Sequence, residues 1–316
     1  MDKPASPGKT KPPAASSSKK SAAAKTRKKS GAAGTVLVLF LAAIVCAGVL
    51  YVVFGGQNGL SQTGYRFDLK GFNLDARYPH YDIPPGAPVL HVYFIGDSYT
   101  FVNNLPQMLA AVAASDTVNP VDIDTGMVAV GNNTLDQLWH NPDAHDMLRS
   151  RHWDYVVMQE HSMQTLHPEW VQIMHSAMTN WNQEIRQAGA KPIVYVTWSR
   201  KPGSDWYDAN KYPGGGFGDP AYMQNQIDKV TNYFASEIGA SIVPVGDYWA
   251  ACGDQAGIPD FYNADGTHPS LAGDYLISLL FYRALTGHKP VTVSYVPPGV
   301  SPEQAQLLIK CASAGG

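Results

Sequence analysis

Between residues 87 and 290 the chain alternates short apolar runs with stretches whose apolar positions recur every three to four residues. The runs at 89–95, 121–130, 155–158, 193–197 and 241–245 are four to ten residues long and rich in Val and Ile, which predicts buried strands. The periodic stretches at 105–114, 169–188 and 271–285 predict helices. A further helix should start at Asp219-Pro220, with Asp as the cap and Pro in the first turn, and run to about Ile238. Strands that alternate with helices in this way form a parallel sheet covered on both faces. The expected class is therefore α/β, a three-layer α/β/α sandwich with about five parallel strands. Residues 291–316 depart from the alternation and read as an extension, with a short strand and a terminal helix packed on the outside.

The pattern before residue 87 is different. Residues 1–34 hold Lys, Ala, Pro and Ser and almost no large apolar side chain, a composition that cannot offset the entropy of ordering. Residues 35–54 then run for twenty positions without a charge. At about 1.5 Å per residue, such a helix matches a bilayer core of roughly 30 Å. The basic flank lies before it, so the positive-inside rule leaves the N-terminus in the cytoplasm and exports the rest of the chain. Val53-Phe54-Gly55 is a poor cleavage site, which favours an uncleaved signal-anchor over a signal peptide. The expectation is a single-pass protein, in a bacterial inner membrane, with its main domain periplasmic or extracellular. Residues 55–86 read as a linker or strap, with Tyr65, Phe67 and Phe72 available to dock on the domain and Pro84-Pro85-Gly86 as its closing turn.

Charge sharpens this division. Residues 1–34 carry nine of the 23 Lys and Arg and one of the 26 acids, which leaves 14 bases against 25 acids, about −11, on the remainder. An acidic domain argues against a nucleic-acid partner. Of the three cysteines, Cys46 lies in the apolar run. Cys252 and Cys311 could pair in an oxidising compartment or remain two buried thiols.

Two segments carry chemistry. In Ile95-Gly-Asp-Ser-Tyr-Thr100, Ser98 directly follows the first predicted strand of the domain and precedes a helix, so it lies at the carboxyl rim of the sheet, where α/β folds bind ligands. In Asn263-Ala-Asp-Gly-Thr-His-Pro-Ser270, Asp265 and His268 stand three apart just before the last long helix. A serine nucleophile needs a base, and the base needs a carboxylate on its other ring nitrogen. Each segment alone could be an ordinary turn. Their order and placement together resemble the SGNH hydrolases, also called GDSL-like lipases and esterases, over about residues 87–288. The alternative Gly-x-Ser-x-Gly nucleophile turn is absent, because Tyr99 and Thr100 follow Ser98.

The resemblance implies a flavodoxin-like fold and carboxyl-ester chemistry, with Ser98, Asp265 and His268 catalytic and no cofactor or metal. It implies an oxyanion hole from the N–H groups of Ser98 and Gly131, with Gly126 the less favoured glycine. The family's third block, Gly-x-Asn-Asp, is missing. Val156-Val-Met-Gln-Glu-His-Ser162 stands in its place, and Gln159 offers the same type of amide donor on a longer chain, as in a divergent branch with Gln-Glu here. Asn132 and Trp198, at neighbouring strand ends, are candidate substrate contacts, and His161 is a candidate edge of the pocket. The 198–218 loop, with Trp206, Tyr207 and Tyr212, could stack on sugar rings or pack on its own domain. His140 and His145 read as surface histidines. The expected function is an esterase acting on O-acyl or acetyl groups of an envelope or extracellular carbohydrate. A polysaccharide O-acetyltransferase using the same triad and a non-catalytic carbohydrate-binding domain are the two alternatives.

Overall fold

The computed structural model describes residues 51–54, 78–208 and 218–314. Six strands form one sheet in the order β1-β3-β2-β4-β5-β6, where β1 is Tyr51–Phe54, β2 Val89–Gly96, β3 Asp122–Val130, β4 Tyr155–Gln159, β5 Lys191–Val196 and β6 Ser241–Pro244. Strands β2 to β6 are parallel, and β1 joins the edge antiparallel to β3. The order of the parallel strands is that of flavodoxin-like folds. The chain leaves β2 for β3 on one side and returns to β4 on the other, so a crevice opens at the carboxyl ends of β2 and β4.

Helices cover both faces. They are α1 (Ser98–Phe101), α2 (Leu105–Ala114), α3 (Leu135–Trp139), α4 (Pro142–Arg149), α5 (Pro168–Gln187), α6 (Pro220–Glu237), α7 (Val245–Gly253), α8 (Leu271–Thr286) and α9 (Pro302–Ser313). Alternate residues of β2 divide the core. Val92 and Phe94 pack with α2 and α8, whereas Tyr93 and Ile95 pack with α3, α4 and α5. Helix α8 is apolar around nearly its whole circumference because α2, α9 and the sheet enclose it.

The expected strands and long helices form within a few residues of their predicted bounds. Three short helices, α3, α4 and α7, were not anticipated, since five to nine residues are too few to display a helical period. Residues 291–314 are also less separate than expected. Val293 bridges to Asp116, α9 buries Ala305, Leu308 and Ile309, and Cys311 forms a disulfide with Cys252 of α7.

The single helix expected over residues 35–54 is corrected at its C-terminal end. Tyr51–Phe54 is a strand, paired from Tyr51–Val130 to Phe54–Met127. Tyr-Val-Val-Phe is a run of strong β formers, and β3 would otherwise present an open edge. Residues 1–50 lie outside the described residues, as do Tyr65, Phe67, Phe72 and Tyr212. Among the described residues no helix is long and apolar enough to cross a membrane. The described end of the strap docks through other aromatics: Tyr78 and Tyr81 pack on the core, and the Tyr78 hydroxyl donates to the Asn103 carbonyl.

Candidate active site

Ser98 is the first residue of α1, two positions after Gly96 ends β2. Asp97 caps the turn: its carboxylate accepts from the Tyr99 N–H at 2.9 Å and its carbonyl from those of Thr100 and Phe101. The Ser98 N–H is left out of this cap. Gly96 is required by close packing. A Cβ there would stand 2.4 Å from Thr100 Oγ1 and 2.5 Å from Gln159 Oε1.

The Ser98 hydroxyl lies 2.8 Å from His268 Nε2, and His268 Nδ1 lies 2.6 Å from Asp265 Oδ2. A carboxylate can only accept, so Nδ1 carries the proton and Nε2 receives the Ser98 O–H. The other carboxylate oxygen of Asp265 accepts from the backbone of Thr267 and His268, at 2.9 and 3.0 Å. Burial raises the Asp265 pKa, but the His268 ring and the two backbone donors outweigh it and hold the carboxyl down at about 2. Asp265 is therefore an anion at neutral pH.

The loop that carries Asp265 and His268 rests on an aromatic ladder. Tyr99 stacks on Trp198 at 4.4 Å, Trp198 stacks on Trp249 at 4.0 Å, and Tyr99 meets the His268 ring edge-on at 5.7 Å. Trp198 also donates its indole N–H to the Thr267 carbonyl. Trp198 is fully buried, which corrects its expected role as a substrate contact. It supports the loop that carries His268 instead.

The parallel register places the other candidates. Gly96 pairs with Ala129 of β3, so Ser98 and Gly131 each lie two residues past that pair. Gly131 is buried, and the adjacent Asn132 is exposed with a left-handed φ of 62°. Gly126 lies within β3, where a Cβ would meet the Trp153 ring at 2.5 Å, so its smallness serves packing. Gln159 is fully buried. Its Oε1 accepts from the Asp97 N–H at 2.8 Å and from the Thr100 hydroxyl at 2.9 Å, and its Nε2 donates to the Glu160 carbonyl at 2.9 Å. The Asp97 N–H can only donate, which fixes the amide orientation. The bonds of Gln159 thus brace the turn that carries Ser98.

Glu160 ties two loops together. Its Oε1 accepts from the N–H groups of Leu135 and His161, while Oε2 is enclosed without a partner. Burial pushes this carboxyl up to about 8, against the pull of those two bonds. His161 is half-buried. His145 is no plain surface residue: it stacks on Trp181 and bonds to Glu184 and to the Trp139 carbonyl. His140 is exposed.

Asn103 escaped the reading of the sequence. Its side chain donates to the Pro269 carbonyl at 3.2 Å and to Asp274 at 2.7 Å, which joins the segment after Ser98 to the segment after His268. The consecutive Asn103-Asn104 pair was the available signal, since asparagine tolerates the left-handed φ of 52° found at both.

No family profile and no curated protein sequence matches the chain. Solved structures do. A DUF4886 family protein from Bacteroides uniformis superposes with a TM-score of 0.59 at 18% identity, over 71% of this chain and 93% of that one. A protein from Slackia heliotrinireducens described as an SGNH hydrolase gives 0.49 at 24% identity, over 62% and 99%. The acetylxylan esterase Axe2 from Geobacillus stearothermophilus gives 0.47 at 14%, over 63% and 95%. The chain shares its fold with the DUF4886 family protein.

Proposed function

We propose that this chain is a serine esterase that cleaves carboxylic esters through an acyl-Ser98 intermediate. The observation that carries this reading is the continuous relay from Ser98 Oγ to His268 Nε2 and from His268 Nδ1 to Asp265. Ser98 Oγ attacks the ester carbonyl as its proton passes to His268. The tetrahedral oxyanion is held by the N–H groups of Ser98 and Gly131. Collapse transfers the proton from His268 to the leaving alcohol and leaves the acyl group on Ser98. Water then attacks, again losing its proton to His268, and collapse returns that proton to Ser98 Oγ as the acid departs. In this reading Gln159 positions the nucleophile turn rather than meeting the oxyanion. No step needs a cofactor.

The substrate in this reading is an O-acylated or O-acetylated carbohydrate, met by the loop that carries Trp206 and Tyr207 and by Asn132. Export of the domain belongs to the same proposal. It is supported by the basic segment 1–34, the apolar run after it and the Cys252–Cys311 disulfide, a bond of oxidising compartments. Residues 35–50 alone span about 24 Å as a helix, short of a bilayer core of roughly 30 Å. Tethering to an inner membrane therefore competes with β1 for residues 51–54. The test of the chemistry is turnover of p-nitrophenyl acetate by wild type, Ser98→Ala and His268→Ala. Losses of about 10³-fold or more are expected in both variants, and full activity in either would overturn the esterase reading.

A further inference from the structure

Arg200 lies four residues past the end of β5, at the carboxyl end of the sheet, and only 4% of it is exposed. The segment that carries it runs along the base loop. The Lys201 N–H donates to the Gly266 carbonyl at 2.8 Å, and the Tyr262 hydroxyl donates to the Ser199 carbonyl. The guanidinium meets the ring of Tyr99, the residue directly after the nucleophile, at 5.7 Å and the ring of Trp206 at 5.5 Å. Its Nη1 donates to the Tyr99 hydroxyl.

The rest of the group is unmatched. Among the described residues no carboxylate forms an ion pair with Arg200, and Nε is enclosed without a hydrogen-bond partner. Asp97 and Asp265 act on it only at longer range, and each is engaged elsewhere, with Tyr99 and with His268. Arginine does not shed its proton in a protein, and an enclosed charge without a counter-ion is costly. Nη2 has no hydrogen-bond partner among the described residues and, unlike Nε, is not enclosed, so it is the donor left to meet a carboxylate. The next cation along the chain, Lys201, pairs with Asp260, so a single guanidinium serves this place, suited to a single negative charge.

We propose that Arg200 is a specificity residue that receives a carboxylate of the substrate, so that the favoured ester is carried by an acidic sugar such as a hexuronate. This rests on the esterase reading, and it puts the acidic group on the Tyr99 and Trp206 side of the reacting ester. The bond supplies binding and orientation. The proton transfers remain with His268.

The test compares the 4-O-acetyl esters of methyl glucuronoside and methyl glucoside, which differ only at the C6 carboxylate, as substrates of the full chain. Acetate release should show a wild-type kcat/KM ratio of about ten or more in favour of the uronoside. Arg200→Gln should lower that ratio by about tenfold to a hundredfold, mostly through KM, the range one charge-assisted bond supports. Arg200→Lys should fall between. A wild-type ratio near or below one, or a ratio unchanged in Arg200→Gln, would overturn the proposal. Should Arg200→Gln fail to fold, the wild-type ratio decides. Failure of the esterase reading has a separate signature, no acetate from either ester and no fluorophosphonate adduct on Ser98. In that event, quenching of tryptophan fluorescence by methyl glucuronoside but not methyl glucoside would still support the carboxylate site, and equal quenching or none would reject it.

Discussion

The three proposed catalytic residues come from two short segments, and that is why they were readable. Ser98 follows a strand within one sequence window, and Asp265 and His268 share one turn. The residues that hold them were not readable, because each acts across a long chain separation. Asn103 reaches Pro269 and Asp274, and Trp198 stacks between Tyr99 and Trp249. Gln159 was noticed for its donor, yet Gly96 admits it so closely that its amide is spent on the nucleophile turn. Asn103→Ala removes two buried bonds, one to the Pro269 carbonyl and one to Asp274, and leaves the buried Asp274 carboxyl without a hydrogen bond. We expect a loss of about 2–3 kcal/mol in urea unfolding and a lower kcat with little change in KM; wild-type values for both would contradict the positioning role. Glu160 makes a pH-dependent contribution. Its carboxyl has a pKa of 4.5 in the free chain and about 8 in the fold. Between those values only the folded state holds the proton, so stability falls as pH rises through that window and levels above it. Glu160→Gln, which mimics the protonated form, should flatten the decline between about pH 5 and 8 by on the order of a few kcal/mol. Parallel stability curves for wild type and variant would refute this.

Long elements declared themselves by period and short ones did not. Helix α6 was legible from Asp219-Pro220 because the cap and the first-turn proline form a local signal, and the Asp219 side chain does accept from the Tyr222 N–H. Helix α7 carried no comparable signal, yet it holds one end of the disulfide. Cys252 and Cys311 are 59 residues apart, and closing a loop of that length is worth about 4 kcal/mol by the chain-entropy account. Cys311→Ser should lower the stability of oxidised protein by a comparable amount, and dithiothreitol should destabilise wild type but not the variant. Equal stability with and without reductant would show that the cross-link contributes nothing. The edge strand β1 was missed because hydropathy alone ranks Tyr-Val-Val-Phe with the apolar residues before it. Strand pairing depends on an open β3 edge that one segment cannot reveal.

At the scale of the whole molecule, the alternation of strands and helices was enough to reveal the sheet, its parallel sense and the rim on which the site stands. The placement of the chain in a cell was a separate matter of charge and apolar length. If the proposed anchor operates, the protein should stay with membranes through an alkaline carbonate wash and its domain should be digested by external protease in spheroplasts. Release into the wash would favour β1 in the sheet and no tether. The central claim, a Ser98-dependent esterase, is tested most directly by reacting the folded chain with a fluorophosphonate and locating the adduct by mass spectrometry, with p-nitrophenyl acetate turnover followed in parallel. We predict one adduct, on Ser98, with turnover lost in step. Unmodified Ser98, or full turnover after complete labelling, would contradict the claim.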